Sequence, residues 1–304
     1  MQDPAGHLLA GIELGGTKCI CVLGTGPADI RAQRDLPTHD PAGTLAAIES
    51  VLDGWRAHAA DFVAIGLAAF GPLNLRRDSP RFGWVSRTVK VGWSDTELLG
   101  RFARRYGLPT GIDTDVNAAA RAEGRWGGAQ GLADFVYVTV GTGIGAGVIV
   151  NGGVVSGANH TELGHIRTVR LPGDDFPGVC PFHGDCLEGL ASGPAIAARA
   201  GRPAAALPAD DPAWMPVAHA LCQLCQTLVL SVGPRRIFFG GGVMTGQPQL
   251  FGMIRHGLQH SLNGYVDTAE VGGQIDRFIV PSDLGAAVGP LGALAVAADQ
   301  LPRP

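Results

Sequence analysis

Twice in this chain an apolar, β-rich run stops at closely spaced glycines and resumes at once. The first is HLLAGIELGG into TKCICVLG; the second is FVYVTV (Phe135–Val140) through Gly141-Thr142-Gly143 into GAGVIV (Gly145–Val150). β-branched and apolar runs joined by a short glycine turn read as hairpins. Two hairpins of one design, well separated in sequence, imply a duplicated architecture.

Between and after them strands alternate with helices, which defines an α/β fold class. A helix is expected near Pro41–Ala60, then the strand Phe62–Phe70, broken at Gly71-Pro72. The loop-rich stretch Asn74–Trp93 precedes a helix over Glu97–Tyr106, a short strand ending at Asp113 and an alanine-rich helix over Asn117–Trp126. Later come a polar loop, a helix from Gly189, an apolar helix over Ala218–Ser231, the strand RRIFFGG and a terminal helix in GAAVGPLGALAVAADQ. At 304 residues the chain exceeds one core of ordinary size and suits two domains with a cleft between them.

Composition narrows the function classes. Hydrophobic residues make up 46% and charged residues 16%, which suits buried sheets and not a disordered chain or coiled coil. A net charge of −4 gives no footprint for nucleic acid, and Arg101, Arg104 and Arg105 have the spacing of a solvated helix face. Without a basic leader or an apolar stretch of membrane length, the chain is expected to be cytoplasmic, with no membrane partner. Six cysteines in a reducing compartment point to metal binding rather than disulfides where their spacing is paired.

Only glycine lets backbone N–H groups approach a polyphosphate without a Cβ in the way. The two hairpin turns, each with a threonine, and Gly240-Gly241-Gly242 after a third strand are three such places; taken singly, each could be only a tight turn. None is a Walker A loop. Gly141, Gly143 and Ala146 satisfy a dinucleotide pattern, but strand sequence follows where that pattern needs a helix.

Asp115, in Thr114-Asp115-Val116-Asn117 at a strand-to-helix junction, is either a helix N-cap or a general base favoured by the helix dipole. Cys180-Pro-Phe-His183-Gly-Asp-Cys186, with His165 upstream, supplies four N/S ligands for a closed, structural zinc site. His160-Thr-Glu162 is not a metalloprotease HExxH, and His160 receives no role. Cys222 and Cys225 are expected to pack as small hydrophobes in their helix.

GIELGGTKCICVLG, GIDTDVNAAARAEGRWG, VTVGTGIGAGVIVNGGVVSG, ELGH, CPFHGDCLEGLASGPAI and IFFGGGVM, in this order, resemble the successive motifs of the ROK family of sugar kinases. The resemblance implies two actin-like ATPase (ribonuclease H-like) domains. The first spans 1–115, with the C-terminal helix of about 285–304 packing back on it; the second spans 116–284 and holds the zinc loop. It implies ATP and Mg²⁺ alongside Zn²⁺. ATP would meet Gly15, Gly16, Thr17, Lys18, Thr142, Gly143, Gly145, Gly241 and Gly242. The hexose would meet Gly71, Asn117, Glu162, His165 and Glu188, with Asp115 as base. Glu13 stands where many members carry Asp, near the Mg²⁺ hydration shell, and His183 replaces one of three cysteines usual in the zinc set.

Phe70–Trp93 resembles the fructokinase branch, so fructose 6-phosphate is the implied product. Glucokinase, mannokinase and N-acetylmannosamine kinase are the alternatives within the family. Outside enzymology stand a non-catalytic sugar sensor, which Asp115 disfavours, and a ROK regulator, whose DNA-binding domain would precede a first motif that here begins at Gly11. Resemblance also implies a homodimer.

Overall fold

Two five-stranded sheets of matching topology organise the chain in the computed structural model, which describes residues 6–58, 61–266 and 268–302. Positions 1–5, 59–60, 267 and 303–304, which fall within the expected domain bounds or, at Ala60, a helix end, lie outside the described residues.

The first unit comprises Met1–Gly131, Val155–His160 and Ala287–Pro304. It contains β1 (Leu9–Leu14), β2 (Lys18–Gly26), β3 (Asp29–Pro37), α1 (Pro41–Ala57), β4 (Ala64–Ala69), β5 (Leu73–Asn74), β6 (Trp84–Val85), α2 (Leu99–Tyr106), β7 (Thr110–Thr114) and α3 (Asp115–Trp126). Its sheet runs β3-β2-β1-β4-β7, antiparallel across the hairpins and parallel from β1 through β4 to β7. Sequence patterning anticipates most of these elements but not β3, whose largely exposed DIRAQRD surface lacks the apolar signal of a buried strand.

The second unit comprises Leu132–Val154 and Thr161–Ala286. It holds β8 (Phe135–Val140), β9 (Ile144–Val150), β10 (Gly153–Val154), α4 (Leu187–Ala191), α5 (Gly193–Ala200), α6 (Trp214–Ser231), β11 (Ile237–Gly240), α7 (Gly242–Gly246), α8 (Gln249–Leu262), α9 (Ile275–Phe278) and β12 (Ile279–Pro281). The sheet order β10-β9-β8-β11-β12 repeats the first: a hairpin, then two parallel strands. Ser192, as N-cap, accepts the Ala195 N–H and splits the expected helix from Gly189 into α4 and α5.

The chain's last helix, α10 (Val288–Ala298), packs on β1, β4 and α3 of the first unit. A Cβ on Gly66 of β4 would lie 2.0 Å from the Ala293 carbonyl oxygen, so helix and sheet meet at a spacing only glycine permits. Ala68, Ala118, Ala293 and Val296 fill the seam. Because α3 shares this seam, the division falls after Gly131, whereas the sequence reading starts the second domain at 116.

Burial of Ile12, Leu14, Leu45, Ile48, Leu67 and Phe102 makes the core that supports the first glycine turn. At about 25 cal/mol per Å² of apolar surface, such burial is the main force holding β1 and α1 together. Asp40 caps α1 by accepting the Gly43 N–H at 2.9 Å, with Pro41 at the first helical position.

Candidate active site and metal loop

In the first unit the glycine turn between β1 and β2 is closed by Gly15 N–H donating to the Lys18 carbonyl at 3.0 Å. Thr38 buttresses it through its hydroxyl on the Gly15 carbonyl, 2.9 Å, and its N–H on Thr17 O, 3.0 Å. A Cβ on Gly16 would meet nothing within 4 Å, so the backbone there is open to a ligand. Lys18 turns to Asp35 on β3, with Nζ 3.0 Å from Oδ2; both are about half exposed, and the pair is worth little by itself.

Glu13, the penultimate residue of β1, is a half-buried carboxyl that burial and the neighbouring Asp115 charge push up to about 7. Asp115 opens α3. Thr114, not Asp115, is the N-cap: its hydroxyl accepts the Asn117 N–H at 3.2 Å. Asp115 Oδ1 accepts the Val116 N–H at 2.9 Å, within the first turn where the helix dipole favours its anion.

Asn117 is buried, and its Nδ2 donates to Asp113 at 2.7 Å. Asp113 also receives the Arg121 guanidinium at 3.1 and 3.0 Å, and Arg121 reaches Asp299 beyond α10 at 2.7 Å. This network holds the start of α3 against β7 and α10; it leaves Asn117 Oδ1 buried without a partner. A buried orphan acceptor costs about 1–3 kcal/mol, so a donor from a bound ligand would be favoured there.

Sequence reasoning missed Asp113 and Arg121, because nothing in GIDTDVNAAAR distinguishes a lattice carboxylate from a reactive one. It also left out His160, whose Nε2 accepts the Leu73 N–H at 3.0 Å and whose ring lies against Gly71. A lone buried histidine gives no signal until its partner, 87 residues away, is known.

In the second unit several predicted residues converge on Ile144. Its N–H donates to Glu188 Oε2 at 3.0 Å, and a Cβ on Gly164 would come within 1.8 Å of its carbonyl oxygen. A Cβ on Gly143 would lie 2.7 Å from the same Glu188 oxygen. The turn from Glu162 to His165 closes by His165 N–H to Glu162 O at 3.0 Å. The second glycine turn is tied by Gly141 N–H to Gly143 O, 2.9 Å, and by Gly193 N–H to Gly141 O, 2.7 Å. Gly241, at φ +87°, crosses beneath Val140, where a side chain would clash with backbone. Thr142, Gly143, Gly145, Gly241 and Gly242 thus belong to one continuous backbone surface, with Gly242 beside Gly141.

His165, Cys180, His183 and Cys186 bring their ligand atoms within 4.8 Å of one another. His165 Nδ1 is 3.5 Å from Cys186 Sγ and 3.8 Å from Cys180 Sγ, and His183 Nδ1 is 3.7 Å from Cys180 Sγ. Zinc–sulfur and zinc–nitrogen bonds of tetrahedral geometry separate S and N by about 3.5 Å, close to these three distances, so the donor set suits zinc. Burial pushes the Cys186 thiol up to about 11, with the adjacent Cys180 thiol adding to the shift, so a dication is what would draw Cys186 to the thiolate. Cys180 N–H to Gly184 O (3.1 Å), Gly184 N–H to Cys180 O (2.9 Å) and Val179 N–H to Gly189 O (3.0 Å) lock the loop to α4, which carries Glu188. Cys222 and Cys225 are buried in α6, as their apolar context predicts.

Paired sheets, each a hairpin followed by two parallel strands and each ending in a glycine turn, define the actin-like ATPase fold. The chain belongs to the ROK family, which matches residues 9–300. It is 40% identical over 290 residues to a fructokinase of Pediococcus pentosaceus, covering 95% of this chain and 97% of that one. It is likewise 40% identical over 293 residues to a fructokinase of Zymomonas mobilis, covering 94% and 95%. Among solved structures, a ROK hexokinase from Thermus thermophilus superposes with a TM-score of 0.76 at 28% identity, over 96% of this chain and 98% of that one. A ROK family glucokinase from Streptomyces griseus, in complex with glucose and AMPPNP, gives 0.74 at 25% identity, over 96% and 99%.

Proposed function

We propose that the chain transfers the γ-phosphoryl group of ATP to fructose, giving fructose 6-phosphate. The observation that carries this reading is the near-full-length similarity to two fructokinases, joined to a carboxylate, Asp115, in the first turn of a helix beside a glycine turn.

In this reading the 6-hydroxyl oxygen attacks the γ-phosphorus in line while its proton passes to the Asp115 carboxylate. The bond from phosphorus to the β,γ-bridging oxygen breaks and ADP departs with that electron pair. Gly71, Asn117 through its unpartnered Oδ1, Glu162, Glu188 and His165 through Nε2 would hold the sugar. The N–H groups around Gly15, Gly16, Thr17 and Lys18, and around Thr142, Gly143, Gly145, Gly241 and Gly242, would hold the phosphates. Mg²⁺ would neutralise phosphate charge, and Glu13 and Asp115 are the carboxylates whose mutual repulsion such a cation would relieve. Zinc on His165, Cys180, His183 and Cys186 would have no open position and would serve to fix the turn bearing His165 and the helix bearing Glu188.

Six unbridged cysteines suit a reducing cytoplasmic setting, and a homodimer belongs to the same proposal. Among the described residues no helix is long and apolar enough to cross a membrane.

ADP release measured with Mg-ATP and fructose, mannose, glucose or N-acetylmannosamine tests the assignment. Turnover is expected to be fastest with fructose. Preference for another hexose would move the specificity, and no turnover with any would leave a sugar-binding protein without kinase activity.

A further inference from the structure

We infer that Lys90 is a catalytic residue, the cation that meets the transferred phosphoryl group; this rests on the kinase reading above. The first glycine turn needs a positive charge if it is to hold a phosphate that is changing hands, and the lysine of its own motif is turned aside. Lys18 Nζ sits on Asp35 of β3, whose carboxyl the ammonium and Gln33 hold below the usual range. Lys90 arrives at the turn from 74 residues away and donates from Nζ to the Gly16 carbonyl. The same ammonium stands 5.8 Å from the centre of the Phe70 ring, within cation–π range. Phe70 directly precedes Gly71, so Lys90 bridges the phosphate turn and the segment expected to border the sugar. In this proposal the phosphoryl group in transit occupies that interval.

Among the described residues Lys90 has no carboxylate partner in an ion pair. Its anchors are a neutral carbonyl and a neutral ring, both of which it can leave for an anionic oxygen without uncovering a buried charge. The loop beneath it is held independently: the buried Trp93 indole donates to His39 O at 2.8 Å, and Ser94 Oγ accepts the Thr88 N–H at 3.1 Å. Val89 and Val91 on either side are exposed. In the transfer step Lys90 keeps its proton and donates to an oxygen of the migrating group, while the sugar proton goes to Asp115 as written above. A fixed charge aimed at the transition state contributes typically ~10²–10³-fold to turnover.

The test compares the whole protein with Lys90→Met and Lys90→Arg, using Mg-ATP and fructose, with melting temperature read for each. The expected result is a fall in kcat of about 10²-fold for Lys90→Met, a smaller change in KM for fructose, partial recovery in Lys90→Arg and unchanged melting. A kcat for Lys90→Met within about threefold of the parent would overturn the inference. So would a Lys90→Arg variant as slow as Lys90→Met, which would assign the effect to packing on Phe70 instead of charge. Parent turnover with fructose separates the two claims: its absence would refute the fructokinase reading, whereas an active parent with an equally active Lys90→Met would refute only the role of Lys90.

Discussion

The two sheets share one strand order, yet their glycine turns are furnished differently. At the penultimate position of the first strand the first unit has Glu13 and the second has Thr139. Around the first turn lie Glu13, Asp115 and Lys18; around the second lie backbone N–H groups, a hydroxyl and Glu188, whose carboxylate is tied to Ile144. The first unit reinforces its site with an ionic network of a buried Asp113 and the partly exposed Arg121 and Asp299. The second reinforces its site with a cluster of four candidate metal ligands, three of them in one loop. In the proposed function a duplicated scaffold separates two tasks: charges that react, and backbone that positions.

The sharpest way to break this division is Asp115→Asn. It should fold, since Thr114 remains the N-cap, while kcat falls by about 10²–10⁴-fold. A kcat equal to the parent's would remove reactivity from the first unit. Next, Cys186→Ser should abolish stoichiometric zinc, as read by elemental analysis, and raise KM for fructose by about tenfold through Glu188 and His165. Equal zinc content would dissolve the metal loop as the second unit's brace.

A smaller effect is expected from Arg121→Met. Breaking a fully buried pair costs about 3–5 kcal/mol, but Arg121 is a third exposed and Asp113 keeps Asn117 and the Thr114 N–H. A loss of about 2 kcal/mol by denaturant unfolding is the expected outcome. Smallest is Glu13→Gln, read as melting temperature against pH. Glu13's folded pKa lies above its unfolded value of 4.5, so ionising it costs stability progressively from about pH 4.5 to 7, and fully above. Gln removes that cost, so its advantage over the parent should be larger at pH 8 than at pH 5. A constant difference would mean that Glu13 is not the strained carboxyl of the first unit.

Much of the architecture is legible in the chain because the hairpins and parallel strands are buried and apolar: Phe135–Val140 is predicted residue for residue. β3 is not, since an exposed edge strand carries no such pattern. The metal ligands are legible from spacing, because three of them lie within one short loop. The contacts of Asp113, His160 and Lys90 depend on partners 74–87 residues away or on which side of a junction a carboxylate faces. Local sequence does not encode either.

The claim at the centre is that these two furnished turns serve phosphoryl transfer to one hydroxyl of fructose. Phosphorus NMR of the products formed from Mg-ATP and fructose tests it most directly. The account predicts ADP and fructose 6-phosphate in equal amounts; ADP with free phosphate and no sugar phosphate, or phosphorylation at another hydroxyl, would contradict it.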